Sequence, residues 1–354
     1  MINMCIVGLG GCGVKMTDSF LSLTKAYDGY FINSNSNEVK KLKNSNPTNI
    51  IHISGANGTG RNPEIGRKQI IENQEKIGLF FEDKAEYQMY TLISSTSGGF
   101  GSGSIWGVID ILRDISPNAK INIIGVLPKY NAIKYELENT LLYYVKLNEY
   151  IKVGKIDGYT FILNEKMTGD ENEFNTKAMS SFLDSIELSG GEIDDSDIIE
   201  SLSNGYNLIL DLNDKVIQSH SSVHSFIENS IFAVPDGNLT SNYMLAQVTK
   251  GEYNKFTLER EFDTKRLSKV EYNDYGINSV LLGGCHKPSS YFKKFESTLN
   301  SIKSKEKEDI ISDDYIPSIS IKPRTEIKVD QSSQSESRHI SRKERRERLK
   351  NILK

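Results

Sequence analysis

Two glycine-rich runs define the chemistry that this chain can do. The first, Gly8-Leu9-Gly10-Gly11-Cys12-Gly13, follows the apolar segment MCIV, which reads as a strand. The second, Ser97-Gly98-Gly99-Phe100-Gly101-Ser102-Gly103-Ser104, puts four glycines within six residues and follows YTLISST. Glycine at a strand-to-helix junction lets the backbone approach a ligand and aims successive N–H groups at it, an arrangement suited to phosphate. Gly8, Gly10 and Gly13 also fit the dinucleotide fingerprint G-x-G-x-x-G. That reading, an NAD(P)-dependent oxidoreductase, asks for an Asp or Glu about twenty residues on, to hold the ribose hydroxyls. The next strand ends in Asn33-Ser34-Asn35 instead, and the second glycine run is left without a role. No G-x-x-x-x-G-K-[ST] occurs, so a Walker-type loop is excluded. Two phosphate loops on neighbouring strands fit one nucleotide gripped from both sides.

The elements that must hold these loops alternate. After the first strand comes a helix near Lys15–Leu23, then strands at YFINSN and NIIHISG, and a helix over Arg67–Ile77. The strand before the second glycine run leads into a helix from about Ser104 to Leu112. INIIGVLP is a strand stopped by Pro128, Ile133–Tyr150 is a helix, and YTFILN is a strand. Strands alternating with helices predict a parallel sheet covered on both faces, with ligands at the carboxyl ends of its strands. Met179, Phe182, Leu183 and Ile186 predict a helix over Phe174–Leu188. Beyond it, YNLILDL, SIFAVPD, KFTLEREF and INSVLLGG read as strands of a smaller α/β unit.

The run SGGFGSGS resembles the tubulin/FtsZ signature [SAG]-G-G-T-G-[SAT]-G, departing at Phe100, where that family has Thr. The other loops of the family follow in order. GLGGCG is similar to its first phosphate loop, carrying Gly10, Gly11 and Cys12, and Asn33-Ser34-Asn35 to its N-T-D, with the acid replaced by an amide. GANGTGRNPEIGRKQ is similar to a loop that reaches the γ-phosphate, with Gly58, Thr59 and Gly60 as the contacts. The resemblance implies GTP/GDP as ligand, held also by Gly98, Gly99, Phe100, Gly101, Ser102 and Gly103. It implies Glu136, or alternatively Glu138, at the ribose and Asn164 of FILNEK at the guanine edge. Phe174 and Asn175 are the candidates for stacking on and contacting the base, with Asn172 the alternative; Phe174 also reads as an apolar helix start. Mg²⁺ is expected to ride mainly on the GTP phosphates, with no protein ligand assigned.

The resemblance also gives a role to the acidic run SGGEIDDSD. Its register matches the family's N-x-D-x-x-D at Glu192, Asp194 and Asp197. In that family these carboxylates complete the site of the next subunit, so the resemblance implies a head-to-tail filament whose hydrolysis depends on assembly. The physical need is clear: phosphoryl transfer requires an oriented water and neutralised charge, and the glycine loops offer no base.

The implied fold class is α/β and tubulin/FtsZ-like: a parallel-sheet GTP-binding domain (1–172), a long central helix (173–189), a smaller α/β second domain (190–302), a linker (303–337) and a basic tail helix (338–354). Arg338–Lys354 carries eight basic against two acidic side chains, although the whole chain of 354 residues has net charge −4, so the body is acidic. The tail is similar to that of TubZ, the branch of the family that moves plasmid and phage DNA, in which it engages the DNA-bound adaptor TubR. A TubR-like adaptor is the partner this implies, with direct DNA contact a weaker addition. An FtsZ-type division protein and a non-hydrolysing scaffold are the alternatives within the family. No run approaches eighteen apolar residues, so no membrane span is expected. Cys5, Cys12 and Cys285 lack metal spacing and suit a reduced, cytoplasmic protein.

Overall fold

A computed structural model describes residues 2–53, 58–84, 86–187, 191–213, 223–251 and 253–312. Met1–Leu299 form one compact unit; Asn300–Lys354 form a second, described as far as residue 312. In chain order the first half reads β1 (Met4–Leu9), α1 (Gly10–Leu23), β2 (Asp28–Asn33), α2 (Ser36–Val39), β3 (Ile50–His52), α3 (Pro63–Glu72), α4 (Gln74–Glu82), β4 (Met89–Ser95), α5 (Phe100–Ile115), β5 (Lys120–Leu127), α6 (Lys134–Lys152) and β6 (Gly158–Leu163). There follow α7 (Glu171–Asp184), α8 (Asp195–Leu202), β7 (Gly205–Asp211), α9 (Val223–Glu228), β8 (Thr240–Thr249), α10 (Lys255–Glu261), β9 (Asp263–Asn273), β10 (Ser279–Cys285) and α11 (Ser289–Ser312).

One sheet carries ten strands in the order β3-β2-β1-β4-β5-β6-β7-β10-β8-β9. From β3 to β7 all pairings are parallel, and β1 and β6 are buried along their whole length, as strands covered on both faces must be. The order reverses between β1 and β4, which are registered from Met4↔Met89 to Leu9↔Ser94. Such a reversal sends the two following connections to opposite faces and opens a crevice at the strands' carboxyl ends. The β6–β7 pairing is brief, Gly158↔Gly205 and Tyr159↔Tyr206, and beyond it β10 runs antiparallel to both β7 and β8.

Helices α1 and α7 lie side by side and run in the same direction. Three contacts define this: Lys15 Nζ to Glu171 Oε2 at 2.9 Å, Phe20 to Phe182 with centroids 6.1 Å apart, and Thr24 Oγ1 to Glu187 Oε1 at 3.4 Å. The start of α11 closes the other face of β6, where Phe292 stacks on Tyr144 at 3.7 Å and meets Phe161 edge-on. Burying each such ring contributes roughly 1.5–3 kcal/mol.

Several expected elements differ. The helix expected over Arg67–Ile77 is two helices, because Pro63 and its cap Asn62 start α3 earlier and Asn73 breaks the chain before α4. KFTLEREF is helical, not extended. Leu258 and Phe262, four apart, are both fully buried, whereas Phe256 is 75% exposed, and Asn254 caps the first turn. SIFAVPD contributes only the bridge Ile162↔Phe232. Strands β8 and β9 fall on sequence that gave no strand signal; β9 is an edge strand carrying Lys265 and Arg266, charges that keep an edge from pairing further. Helix α7 begins at Glu171 and ends at Asp184, and α11 continues through residues 303–312, where a linker was expected. The rest of that linker, the tail Arg338–Lys354, and Gly55–Asn57 of the third loop lie outside the described residues.

A candidate nucleotide site and a remote acid cluster

Each glycine run passes into the first turn of a helix. Helix α1 starts at Gly10 and α5 at Phe100, and neither has a side-chain cap. The first N–H groups of a helix have no partner inside it, and without a cap they remain available to an anion. The two helices follow β1 and β4, the strands flanking the reversal, so their open N-termini meet at the crevice. They touch backbone to backbone. A Cβ on Gly10 would lie 2.7 Å from Gly101 N, and one on Gly101 would lie 2.6 Å from Leu9 O. Gly10 also has φ 70°, a left-handed conformation that glycine adopts without strain.

The expected third loop closes this crevice. Thr59 is buried with its hydroxyl against Gly99, and Gly58 and Gly60 take φ of 90° and 56° around it. Asn139 on α6 ties the loops together, its Nδ2 donating to Arg61 O at 3.0 Å, Ser97 O at 3.1 Å and Gly98 O at 3.3 Å. Glu136, one turn earlier on the same helix, pairs with Arg61 at 3.4 Å. Phe100 and Ser102 reach the crevice through their backbones. The Phe100 ring is buried near Gly10, and the Ser102 hydroxyl donates back to Gly98 O. Gly103 is packed against Pro63 O, a structural constraint that leaves no room for a side chain.

At the end of β2 the amides are largely occupied. Asn33 is buried and donates from Nδ2 to Glu38 Oε2 at 2.8 Å, while Asn35 caps α2 by accepting from Asn37 N at 3.1 Å. Glu38 is a residue that the sequence reading passed over. Its carboxylate lies 2.8 Å from where a Gly11 Cβ would be, against the first turn of α1. The signal was available: Glu38 is the first acid after Asn33-Ser34-Asn35, one helical turn on. Asn139 was missed too, although its spacing of three from Glu136 puts both on one face of α6.

The residues expected at the base lie at and near the start of α7 and at the carboxyl end of β6. The Lys15–Glu171 pair bridges α1 and α7 beside Cys12, whose thiol is pushed up to about 12 by burial and by the Glu171 charge and so stays neutral. Phe174 and Asn175, the fourth and fifth residues of α7, are both buried, and Asn172 in its first turn is exposed. Asn164 begins a short turn at the carboxyl end of β6, half-buried.

The acids are elsewhere. Asp194 caps α8 in a reciprocal box: its Oδ1 accepts from Asp197 N at 3.0 Å and from Ser196 Oγ at 2.6 Å, while Asp197 Oδ2 accepts from Asp194 N at 2.9 Å. The Ser196 hydroxyl and the Asp197 N–H hold the Asp194 carboxyl below its usual range. Asp197 Oδ2 also pairs with Lys269 Nζ of β9 at 2.6 Å. Glu192 is exposed beside them. Helix α7 carries the chain from the crevice, where Glu171 meets Lys15, to the far end of α1, where Glu187 meets Thr24. The phenol of Tyr27, just past α1, feels the charges of both Glu187 and Asp195. The cluster is therefore about the length of α1, roughly 20 Å at 1.5 Å per residue, from the glycine loops of its own chain.

Among the described residues no group of three or more His, Cys, Asp and Glu could hold a metal, and no helix is long and apolar enough to cross a membrane. Residues 3–170 match the GTPase domain of the tubulin/FtsZ family. A tubulin-like protein TubZ of a Clostridium botulinum C phage is 25% identical over 232 residues, 64% of this chain and 63% of that protein. The tail-truncated TubZ of Clostridium botulinum phage c-st superposes with TM-score 0.76 at 20% identity, covering 86% of this chain and 98% of that one. The TubZ of Bacillus thuringiensis serovar israelensis, solved as GDP-form protofilaments, gives TM-score 0.73 at 14% identity, covering 88% and 94%. The paired glycine turns and the strands that carry them lie within the matched segment, and on that ground residues 3–170 of this chain are a GTPase domain of the tubulin/FtsZ family.

Proposed function

We propose that this chain binds GTP in the crevice between α1 and α5, assembles head-to-tail into filaments, and hydrolyses GTP where one subunit's acid cluster meets the next subunit's crevice. One observation carries this reading. The glycine loops and the acids sit at opposite ends of α1 and α7, so neither end can perform phosphoryl transfer on its own chain's nucleotide. A second copy stacked in the same orientation brings the two ends together. Such a head-to-tail contact does not close on itself and propagates as a filament, in keeping with relatives solved as protofilaments.

In the crevice the α1 and α5 N–H groups take the phosphate oxygens, Thr59 and the loop around it cover the terminal phosphate, and Glu136 is placed for the ribose. Asn164, Phe174 and Asn175 flank the space for the base. A magnesium ion on the phosphates fits this donor set, since Glu38 adds a hard carboxylate oxygen beside Gly11. Bound there, the ion neutralises phosphate charge. From the adjoining subunit, Asp197 and Asp194 orient the attacking water, with Glu192 beside them. The basic segment Arg338–Lys354 docks on a DNA-bound, TubR-like adaptor, which gives the filament plasmid or phage DNA as cargo. The protein works in the cytoplasm.

The test is GTP turnover against protein concentration, which rises more steeply than linearly if the site is shared. Asp197→Asn keeps the cap geometry, so it retains GTP binding and filaments while slowing turnover by about a hundredfold or more. First-order turnover down to low concentration, or full activity in Asp197→Asn, refutes the shared site.

A further inference from the structure

We propose that Lys269 is a positioning residue of the hydrolytic half-site: it fixes Asp197 with one oxygen free and carries the positive charge that lets the acid cluster face a triphosphate. The proposal rests on the shared-site reading above.

Its basis is how the two carboxylates spend their oxygens. Asp197 places both of its hydrogen bonds on Oδ2, from Asp194 N at 2.9 Å and Lys269 Nζ at 2.6 Å. Asp194 takes Asp197 N at 3.0 Å and Ser196 Oγ at 2.6 Å on Oδ1, and the Ser196 N–H besides. Among the described residues, Asp197 Oδ1 takes no hydrogen bond. Asp197 is held by one oxygen and offers the other, which is what a group that orients a water requires. The cap and the Ser196 donors fix Asp194 beside it. For Asp197 the second tether comes from a different element. Lys269 sits in β9, registered beside Leu245 of β8, and the side chains of the pair are only 12% (Asp197) and 29% (Lys269) exposed. Strand β9 is an edge strand, and at Lys269 it directs a cation into the acids. The Lys269 ammonium is stabilised first by its hydrogen bond to Asp197 and then by the charges of Asp197, Asp194 and Glu192. Three carboxylates brought against a nucleoside triphosphate meet a like charge. Lys269 offsets part of it from within the cluster, and its short bond to Asp197 survives salt better than an exposed pair would.

The experiment uses the full chain above its assembly threshold with excess GTP and Mg²⁺, and compares Lys269→Met, Lys269→Arg, Asp197→Asn and the double variant Lys269→Met/Asp197→Asn. Expected are a roughly tenfold loss of turnover per assembled subunit in Lys269→Met, about the worth of one charge-assisted hydrogen bond, with GTP affinity of the isolated subunit unchanged. Lys269→Arg restores most of the rate, and Lys269→Met costs clearly less than tenfold once Asp197 is Asn, because only its charge on Asp194 and Glu192 is then lost. Should Met at this position lower the unfolding temperature, Lys269→Gln, which keeps a donor, takes its place in the same cycle. Wild-type turnover in Lys269→Met, no recovery with Arg, or losses that add in the double variant overturn the proposal. If Asp197→Asn slows turnover while Lys269→Met does not, only the role of Lys269 falls; if Asp197→Asn is as fast as wild type, the shared site falls with it.

Discussion

Gly98→Ala separates what the glycine loop does for the fold from what it does for a ligand. Among the described residues, a Cβ built on Gly98 has only Ser95 near it, 3.8 Å from Cβ and 3.9 Å from Oγ, which is ordinary contact. Its φ is not in the left-handed region, so alanine adopts the same backbone. The folded protein should therefore tolerate the change, and the lost freedom of the unfolded chain stabilises it by about 0.4–1 kcal/mol. Gly101 is the opposite case. Its Cβ would lie 2.6 Å from Leu9 O, so α5 must move away from β1 by nearly an ångström to restore van der Waals contact, a strain of about 1–3 kcal/mol. With phosphate in the crevice, the space beside Gly98 is the ligand's, and a methyl group there displaces an oxygen from its N–H donors. The loss should be at least about 1.4 kcal/mol, a tenfold weakening of GTP binding. The assay is anisotropy of a fluorescent GTP analogue alongside thermal unfolding. Gly98→Ala should unfold at or slightly above the wild-type temperature and bind at least tenfold more weakly, whereas Gly101→Ala loses both. Wild-type affinity in Gly98→Ala would mean that the phosphates do not occupy this space.

Three further expectations follow from named contacts. Asn139→Asp removes the donor shared by Arg61 O, Ser97 O and Gly98 O and sets a charge against them, so GTP affinity should fall at least tenfold, measurable by calorimetry; an unchanged affinity would show that the loops hold their places without it. Glu38→Gln should bind metal-free GTP several-fold more tightly and gain less from added Mg²⁺, read by titration with and without EDTA; identical metal dependence in both proteins sinks the role of Glu38. The Asp184 carboxyl is raised from 3.8 to about 6, by burial and then by Asp211 and Glu187. A raised acid stabilises the fold when protonated, and that contribution disappears as pH climbs through about 6. Asp184→Asn should therefore gain about 1 kcal/mol over wild type at pH 7.5, after allowing for solvent screening, and nothing at pH 4. Denaturant midpoints at the two pH values test it, and equal gains at both would refute the assignment.

The first half of the fold was legible because its signals are local. Apolar runs ending in glycine, as at Met4–Gly13, declare a buried strand and a tight turn regardless of what lies elsewhere, and the alternation with helices dictates a parallel sheet. The second half was not, because its signals are tertiary. Leu258 and Phe262 of KFTLEREF become a buried face only once β9 is present to receive them, and β8 hides Ser241 and Gln247 in a strand that its composition disguises. The glycine turns were placed correctly along the chain, but their helices start four or five residues earlier than periodicity indicates. Glycine carries no apolar face to reveal the first turn, although its backbone forms one.

By itself the sequence determined the kind of ligand: two glycine turns can present N–H groups to phosphate whatever their surroundings, and Asp194 with Asp197 can cap a helix wherever it lies. Only the tertiary structure decided where these parts stand. The reversal of strand order at β1 and β4 brings the two open helix ends together, and the parallel course of α1 and α7 carries the acids to the opposite end. Spacing along a chain records which residues a turn or a helix face can pair, whereas the distance between two ends of a packed layer is set by helix length and strand order, which no short motif contains.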